Sequence, residues 1–229
     1  MKKILVSCIL MICFLAVTGC GTGRGETETM QKNEAQETQN IIAAETITIT
    51  PLPVTINMNQ LDDCTVAVSL KEGDIYVDDT GVMQMEVTVY AYDMYDMVDI
   101  AQLDEGDTIH IRREDVQINT LERLESGLIR VNGGQDNGGF DLYTEDNGVF
   151  FEIGYSDVKS YYELGNAKLR VSETFQFYDE IDPEQEATVF YPEDFVNPNS
   201  DILYYFDPNN TSIVIENGQV TAMYRRYTP

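Results

Sequence analysis

The sequence holds one histidine, no tryptophan, 14 basic side chains against 40 acidic ones, and only four cysteines. Each scarcity removes a class of function. With His110 alone there is no histidine cluster for a metal, and any Ser/His/Asp triad hangs on that one ring. A formal charge of −26 repels a phosphate backbone, which argues against nucleic acid as a partner. Cys8, Cys13 and Cys20 crowd into the first 20 residues and leave Cys64 alone in the rest, so the domain is expected to rest on core packing without a disulfide. No Gly-rich phosphate loop, zinc-type cysteine pair or nucleophile elbow occurs. Past the N-terminal segment, no apolar run approaches the roughly 18 residues of a membrane span. What is present is a hydrophobic content of 43%, too high for a wholly disordered chain and sufficient for a core.

Lys2 and Lys3 precede an apolar stretch from Ile4 to Val17, shorter than a transmembrane helix and of export-signal length. It is followed by Val17-Thr18-Gly19-Cys20: an aliphatic residue, two small ones and a cysteine. This tetrapeptide resembles the lipobox of bacterial lipoproteins, and the resemblance covers residues 1–20 only. It implies removal of residues 1–19 as a lipoprotein signal peptide and lipidation of Cys20, leaving 229 − 19 = 210 residues. Loss of Lys2 and Lys3 takes the charge to 12 − 40 = −28. A diacylated cysteine meets the two-chain requirement for stable anchoring, so the expected location is the extracytoplasmic face of the cell membrane, with the lipid anchor as membrane partner. Residues 20–45 carry no aromatic side chain and are rich in Gly, Glu, Thr, Gln and Asn; they are expected to form a disordered tether.

From residue 46 to 229, alternation of apolar and polar residues, with β-branched and aromatic enrichment between Gly, Asp and Asn turns, predicts an all-β domain. No helix of crossover length separates the strands, which favours an antiparallel barrel or sandwich over a parallel sheet. A division near Glu125 into two small β subdomains is the alternative organisation. Strands are expected at, among others, Val54–Met58, Cys64–Leu70, Val82–Tyr92, Ala167–Val171, Thr174–Tyr178 and Ile202–Phe206. One or two short helices are expected, one capped by Asp96 over Met97–Gln102 and one over Pro192–Phe195 with proline at its first position. Asn217-Gly218 suits a type I′ hairpin turn and pairs Glu216 with Gln219, Ile215 with Val220 and Ile213 with Ala222. Cys64 falls in register with Val66, Val68 and Leu70, hence toward the core.

Three sets of residues are candidates for function. Asp136, Asn137 and Asp141 lie in a glycine-rich acidic stretch whose oxygens suit calcium, the one cofactor the composition suggests. The run Asp93, Asp96, Asp99, Asp104, Glu105 and Asp107 offers similar ligands, but neither stretch has EF-hand spacing. Tyr161-Tyr162 and Tyr204-Tyr205, like Phe150-Phe151, are adjacent aromatic pairs; neighbours on a strand face opposite sides, so one ring of each pair leaves the primary core. Those tyrosines are candidates for a platform that stacks on carbohydrate or docks a protein. The expected function is therefore a lipid-anchored, non-catalytic binding or scaffolding domain at the cell surface. The alternative is a glycosidase-like surface hydrolase using paired carboxylates, which abound here.

Overall fold

The computed structural model describes residues 45–145 and 148–228; the expected export signal, Cys20 and the expected tether up to residue 44 lie outside them. The chain folds as β1 (Thr48–Ile49), β2 (Cys64–Ser69), β3 (Ile75–Val77), β4 (Met83–Ala91), β5 (Met94–Asp96), α1 (Met97–Gln102), β6 (Thr108–Ile111) and β7 (Glu114–Gln117). It continues through β8 (Leu121–Arg123), β9 (Ile129–Val131), β10 (Phe140–Thr144), β11 (Val149–Ile153), β12 (Tyr162–Glu180), β13 (Thr188–Phe190), α2 (Pro192–Val196), β14 (Thr211–Glu216) and β15 (Gln219–Arg226). The domain is all-β, as its sequence pattern requires.

Five of these strands close into a barrel. β2 pairs with β4, β4 with β12, β12 with β15, β15 with β14, and β14 with β2 again. The order β14-β2-β4-β12 is a Greek key, and β15 closes it into a five-stranded barrel. Pairing is antiparallel except for β12 with β15 and β1 with β6. Alternation produces the lining: Met85, Val87 and Val89 point inward from β4 and are buried, while Glu86 stays exposed. Phe175, Phe177, Ile213 and Met223 complete the centre of that core.

Several sequence-level boundaries move. The two strands expected at 167–171 and 174–178 are one 19-residue strand, β12. Its ladder with β15 shifts register between Val171 and Gln176, which accommodates the polar Ser172-Glu173-Thr174 without ending the strand. Residues 54–58 form no strand, yet Ile56 and Met58 pack on the barrel core, so their alternation serves packing without a ladder. Residues 202–206 contribute only a bridge from Phe206 to Leu70.

The last hairpin turns at Asn217 (φ 50°) and Gly218 (φ 70°) and pairs Glu216 with Gln219 and Ile215 with Val220, as counted from sequence. The expected pairing of Ile213 with Ala222 is not the one formed. A register shift places Val214 opposite Ala222 and Ile213 opposite Met223. Val220 and Met223 are both fully buried, and residues three apart share a strand face only if an extra residue intervenes; Thr221 is that residue.

Between β4 and β12 the chain builds a second core from Tyr95, Ile100, Leu103, Ile109, Val131 and Leu142. A five-stranded sheet, β5-β11-β10-β9-β8, and the sheet β1-β6-β7 enclose it. Glu125 lies in the β8–β9 connection within one sheet; apart from Ile49 of β1, the second core comes from the chain between β4 and β12. Asp96 caps α1 as its sequence position suggests, its carboxylate accepting from the Val98 N–H at 2.7 Å. In α2 the Tyr191 N–H donates to the Asp194 carboxylate at 2.8 Å.

The insertion is pinned to the barrel by the β6–β7 turn. Arg112 and Arg113 both adopt left-handed backbone, at φ 51° and 68°, where arginine is disfavoured. Three groups hold them there. The Arg112 N–H donates to Asp93 at 2.9 Å, its Nε donates to the buried Glu152 at 2.9 Å, and the Arg113 guanidinium lies 5.0 Å over the Tyr162 ring.

Candidate functional site

The aromatic pairs separate as strand geometry demands. Phe150 joins the core of the insertion, while Phe151 faces away from it. There Phe151 meets Tyr143, its register partner on β10, edge-on at 6.1 Å, and Tyr92 edge-on at 5.9 Å. Tyr92, just past β4, meets Tyr161, just before β12, at 5.3 Å and 75°. The four rings form one chain from the insertion to the barrel. Lys159 lays its ammonium 4.7 Å from the Phe151 ring centre and 5.1 Å from that of Tyr92, and 3.3 Å from a Glu145 carboxylate oxygen.

Beside these rings opens a cleft of about 510 Å³ lined by Tyr143, Phe151 and Tyr161, with Asp157, Lys159 and Asn209 among its polar groups. Its lip is a tight loop: the Gly154 N–H donates to the Val158 carbonyl at 2.6 Å and the Ser160 N–H to the Glu152 carbonyl at 3.0 Å. Asp157 sits there with left-handed backbone at φ 59°, and Tyr155 is 74% exposed. Burial pushes the Tyr161 phenol up to about 12, with Tyr92, Glu145 and Asp207 adding to the shift. Phe151 is buried at the back of the cleft, so Tyr143 offers the accessible ring; an apolar ring with a few convergent polar tips is what a small polar ligand needs.

A larger groove of about 720 Å³ runs along the outside of the barrel past Glu86, Thr88, Asn166 and Lys168. Its polar groups are largely engaged with one another. The Thr88 hydroxyl donates to Asn166 at 2.8 Å, the Tyr76 hydroxyl to Glu86 at 2.6 Å, and Lys168 lies 3.9 Å from Glu86. The aromatic cleft is thus the better candidate.

Of the four candidate tyrosines, only Tyr161 lines this cleft. Tyr162 supports Arg113, Tyr204 packs edge-on against Phe206 at 5.8 Å, and Tyr205 is 66% exposed elsewhere; they form no common platform. Tyr143, Phe151, Tyr92 and Lys159 escaped the sequence reading as site residues. The Phe150-Phe151 doublet was their one local signal, and the partners that meet Phe151 come from distant strands.

Asp136 and Asn137 are exposed on a 3-10 turn over Gln135–Asn137, with the Asn137 amide donating to the Gly133 carbonyl at 2.8 Å. Asp141 is buried on β10, 3.6 Å from Arg130 Nε, so a guanidinium supplies the positive charge beside it. The glycines of this stretch serve the turn: a Cβ at Gly139 would lie 2.0 Å from the Val131 carbonyl oxygen. Among the described residues no three His, Cys, Asp or Glu side chains converge as a metal site. His110 Nδ1 lies 2.8 Å from Asp115, its cross-strand neighbour. Cys64 is half-buried at the edge of the barrel core, and burial raises its thiol pKa.

The chain matches no family model, no curated protein and no solved structure. A barrel topology hosts many unrelated activities, so a functional reading stands on the cleft itself.

Proposed function

We propose that this protein is a lipid-anchored, non-catalytic binding module of the cell surface. In this reading Cys20 carries the lipid, residues 20–45 hold the β-domain off the bilayer, and the cleft at Tyr143, Phe151 and Tyr161 receives a carbohydrate. The observation that carries it is the cleft: three aromatic side chains and several polar tips around about 510 Å³. That volume and concavity suit a small ligand better than a protein interface, which spreads over roughly 800 Å² per partner.

The test is a glycan array probed with the detergent-solubilised full chain, followed by product analysis on every glycan retained. Retention without turnover, weakened about tenfold by Tyr143→Ala, is the expected result; a stacking ring of this kind contributes on the order of 1 kcal/mol or more. A chain that retains no glycan overturns the reading. Cleavage of a retained glycan would establish the surface hydrolase instead, with Glu145 and Asp157 as the carboxylates at the cleft.

A further inference from the structure

We infer that the ligand of this cleft is a cationic carbohydrate, an amino sugar whose nitrogen is free and protonated. The inference rests on the carbohydrate reading above and adds the charge of the ligand. Three features of the cleft support it.

The first is that Lys159, the one cation in the cleft wall among the described residues, is already engaged. Lys159 is held by Glu145 at 3.3 Å and by the rings of Phe151 and Tyr92, and its side chain is 26% exposed. It is a poor partner for an incoming carboxylate or phosphate, which would have to displace Glu145.

The second is that carboxylates outnumber that lysine. Glu145 and Asp157 both line the cleft, and Asp157 forms no ion pair among the described residues. Among the described residues the cleft wall thus carries one ammonium and two carboxylates, on a chain of formal charge −26. Such a field repels uronates and phosphate-bearing polymers and draws cations in.

The third is the match of shape to chemistry. The exposed Tyr143 ring can accept the flat C–H face of a pyranose, and a protonated amino group on that sugar would find an open carboxylate in Asp157. Rings edged by carboxylates are also favourable surroundings for an ammonium group through cation–π attraction. A neutral N-acetylated sugar keeps the ring contact and loses the charge-assisted hydrogen bond.

The experiment compares glucosamine tetrasaccharide with its N-acetylated counterpart as ligands of the detergent-solubilised full chain, by calorimetry at a pH where the free amine is protonated. The amino form is expected to bind about tenfold more tightly, the equivalent of one charged hydrogen bond. Asp157→Asn should bring the two ligands to within about threefold. This variant keeps the fold accessible, because asparagine tolerates the left-handed backbone at φ 59° at least as well as aspartate. Raising the salt concentration should shrink the preference without abolishing ring-dependent binding. Equal affinities, or tighter binding of the acetylated form, would overturn the charge assignment and leave carbohydrate binding in place. Binding of neither ligand, with no other glycan retained on the array, would overturn both.

Discussion

Arg225 and Asp179 stand opposite one another on the parallel strands β15 and β12, and the ion pair between them is buried at the barrel wall. Arg225 is fully buried; its Nε donates to Asp179 at 2.9 Å, and the Leu203 carbonyl accepts from a second nitrogen. The rings of Phe177 and Phe206 lie 5.5 and 4.8 Å from its guanidinium carbon. Removing one partner strands the other's charge. Asp179→Ala and Arg225→Ala should each cost about 3–5 kcal/mol, read as a lowered urea midpoint. Arg225→Lys should recover little of it, since an ammonium lacks the planar fork. A midpoint for Asp179→Ala indistinguishable from wild type would contradict this account.

The β6–β7 turn makes a contrasting pair of predictions. Glu152 is 3% exposed and relies on Arg112, so Arg112→Ala should destabilise by about 2–4 kcal/mol. Arg113→Gly loses a cation–π contact of about 0.5–1 kcal/mol and an exposed hydrogen bond to the Glu163 carbonyl but relieves left-handed backbone at φ 68°, worth about 1–2 kcal/mol. Its net effect should be small. Chemical denaturation of the two variants side by side decides the matter; equal destabilisation would count against the stated roles.

Asp78 gives a pH dependence. Its carboxylate accepts from the Thr80 hydroxyl, the Val82 N–H and the Gln84 amide, and these bonds hold its pKa well below the usual carboxylate range. A depressed folded pKa contributes stability above the unfolded value of about 3.9, and that contribution fades as pH falls toward the folded value. Asp78→Asn should therefore be less stable than wild type at neutral pH, with the gap closing below about pH 4. Urea midpoints of the two proteins across that range would show it; a gap that persists unchanged into acid would not fit.

Tyr161 contributes on the alkaline side. Burial, with Tyr92, Glu145 and Asp207, raises its phenol to about 12. A raised pKa contributes stability that is complete below the unfolded value of about 10 and is lost as pH climbs through the folded one. In an absorbance titration of tyrosinate, Tyr161→Phe should remove one late-titrating equivalent. It should also soften the alkaline loss of stability.

The lipid anchor is tested by Cys20→Ala. The variant should lose lipid labelling and either remain unprocessed or leave the membrane fraction, followed by fractionation and immunoblot. A variant that is still labelled and membrane-bound would remove the anchor from the proposal.

The β-class, the Asp96 cap, the Pro192 helix start and the Asn217-Gly218 turn were legible because each depends on residues adjacent in sequence. The Phe150-Phe151 doublet showed that one ring must leave its core, by the alternation of a single strand. What that ring would meet was hidden: Tyr143 arrives from β10, Tyr92 from the end of β4 and Lys159 from the loop before β12. The Thr221 bulge was equally invisible to counting from the turn, since only the burial of both Val220 and Met223 demands it.

By itself the sequence determined an acidic, helix-poor domain, because charge, composition and short-range periodicity are properties of neighbouring residues. Tertiary structure alone decided that β12 and β15 run parallel to close a barrel, that a second core grows between β4 and β12, and that four rings meet beside Lys159. Those outcomes depend on pairings between residues tens of positions apart, which are set by how whole faces are buried together.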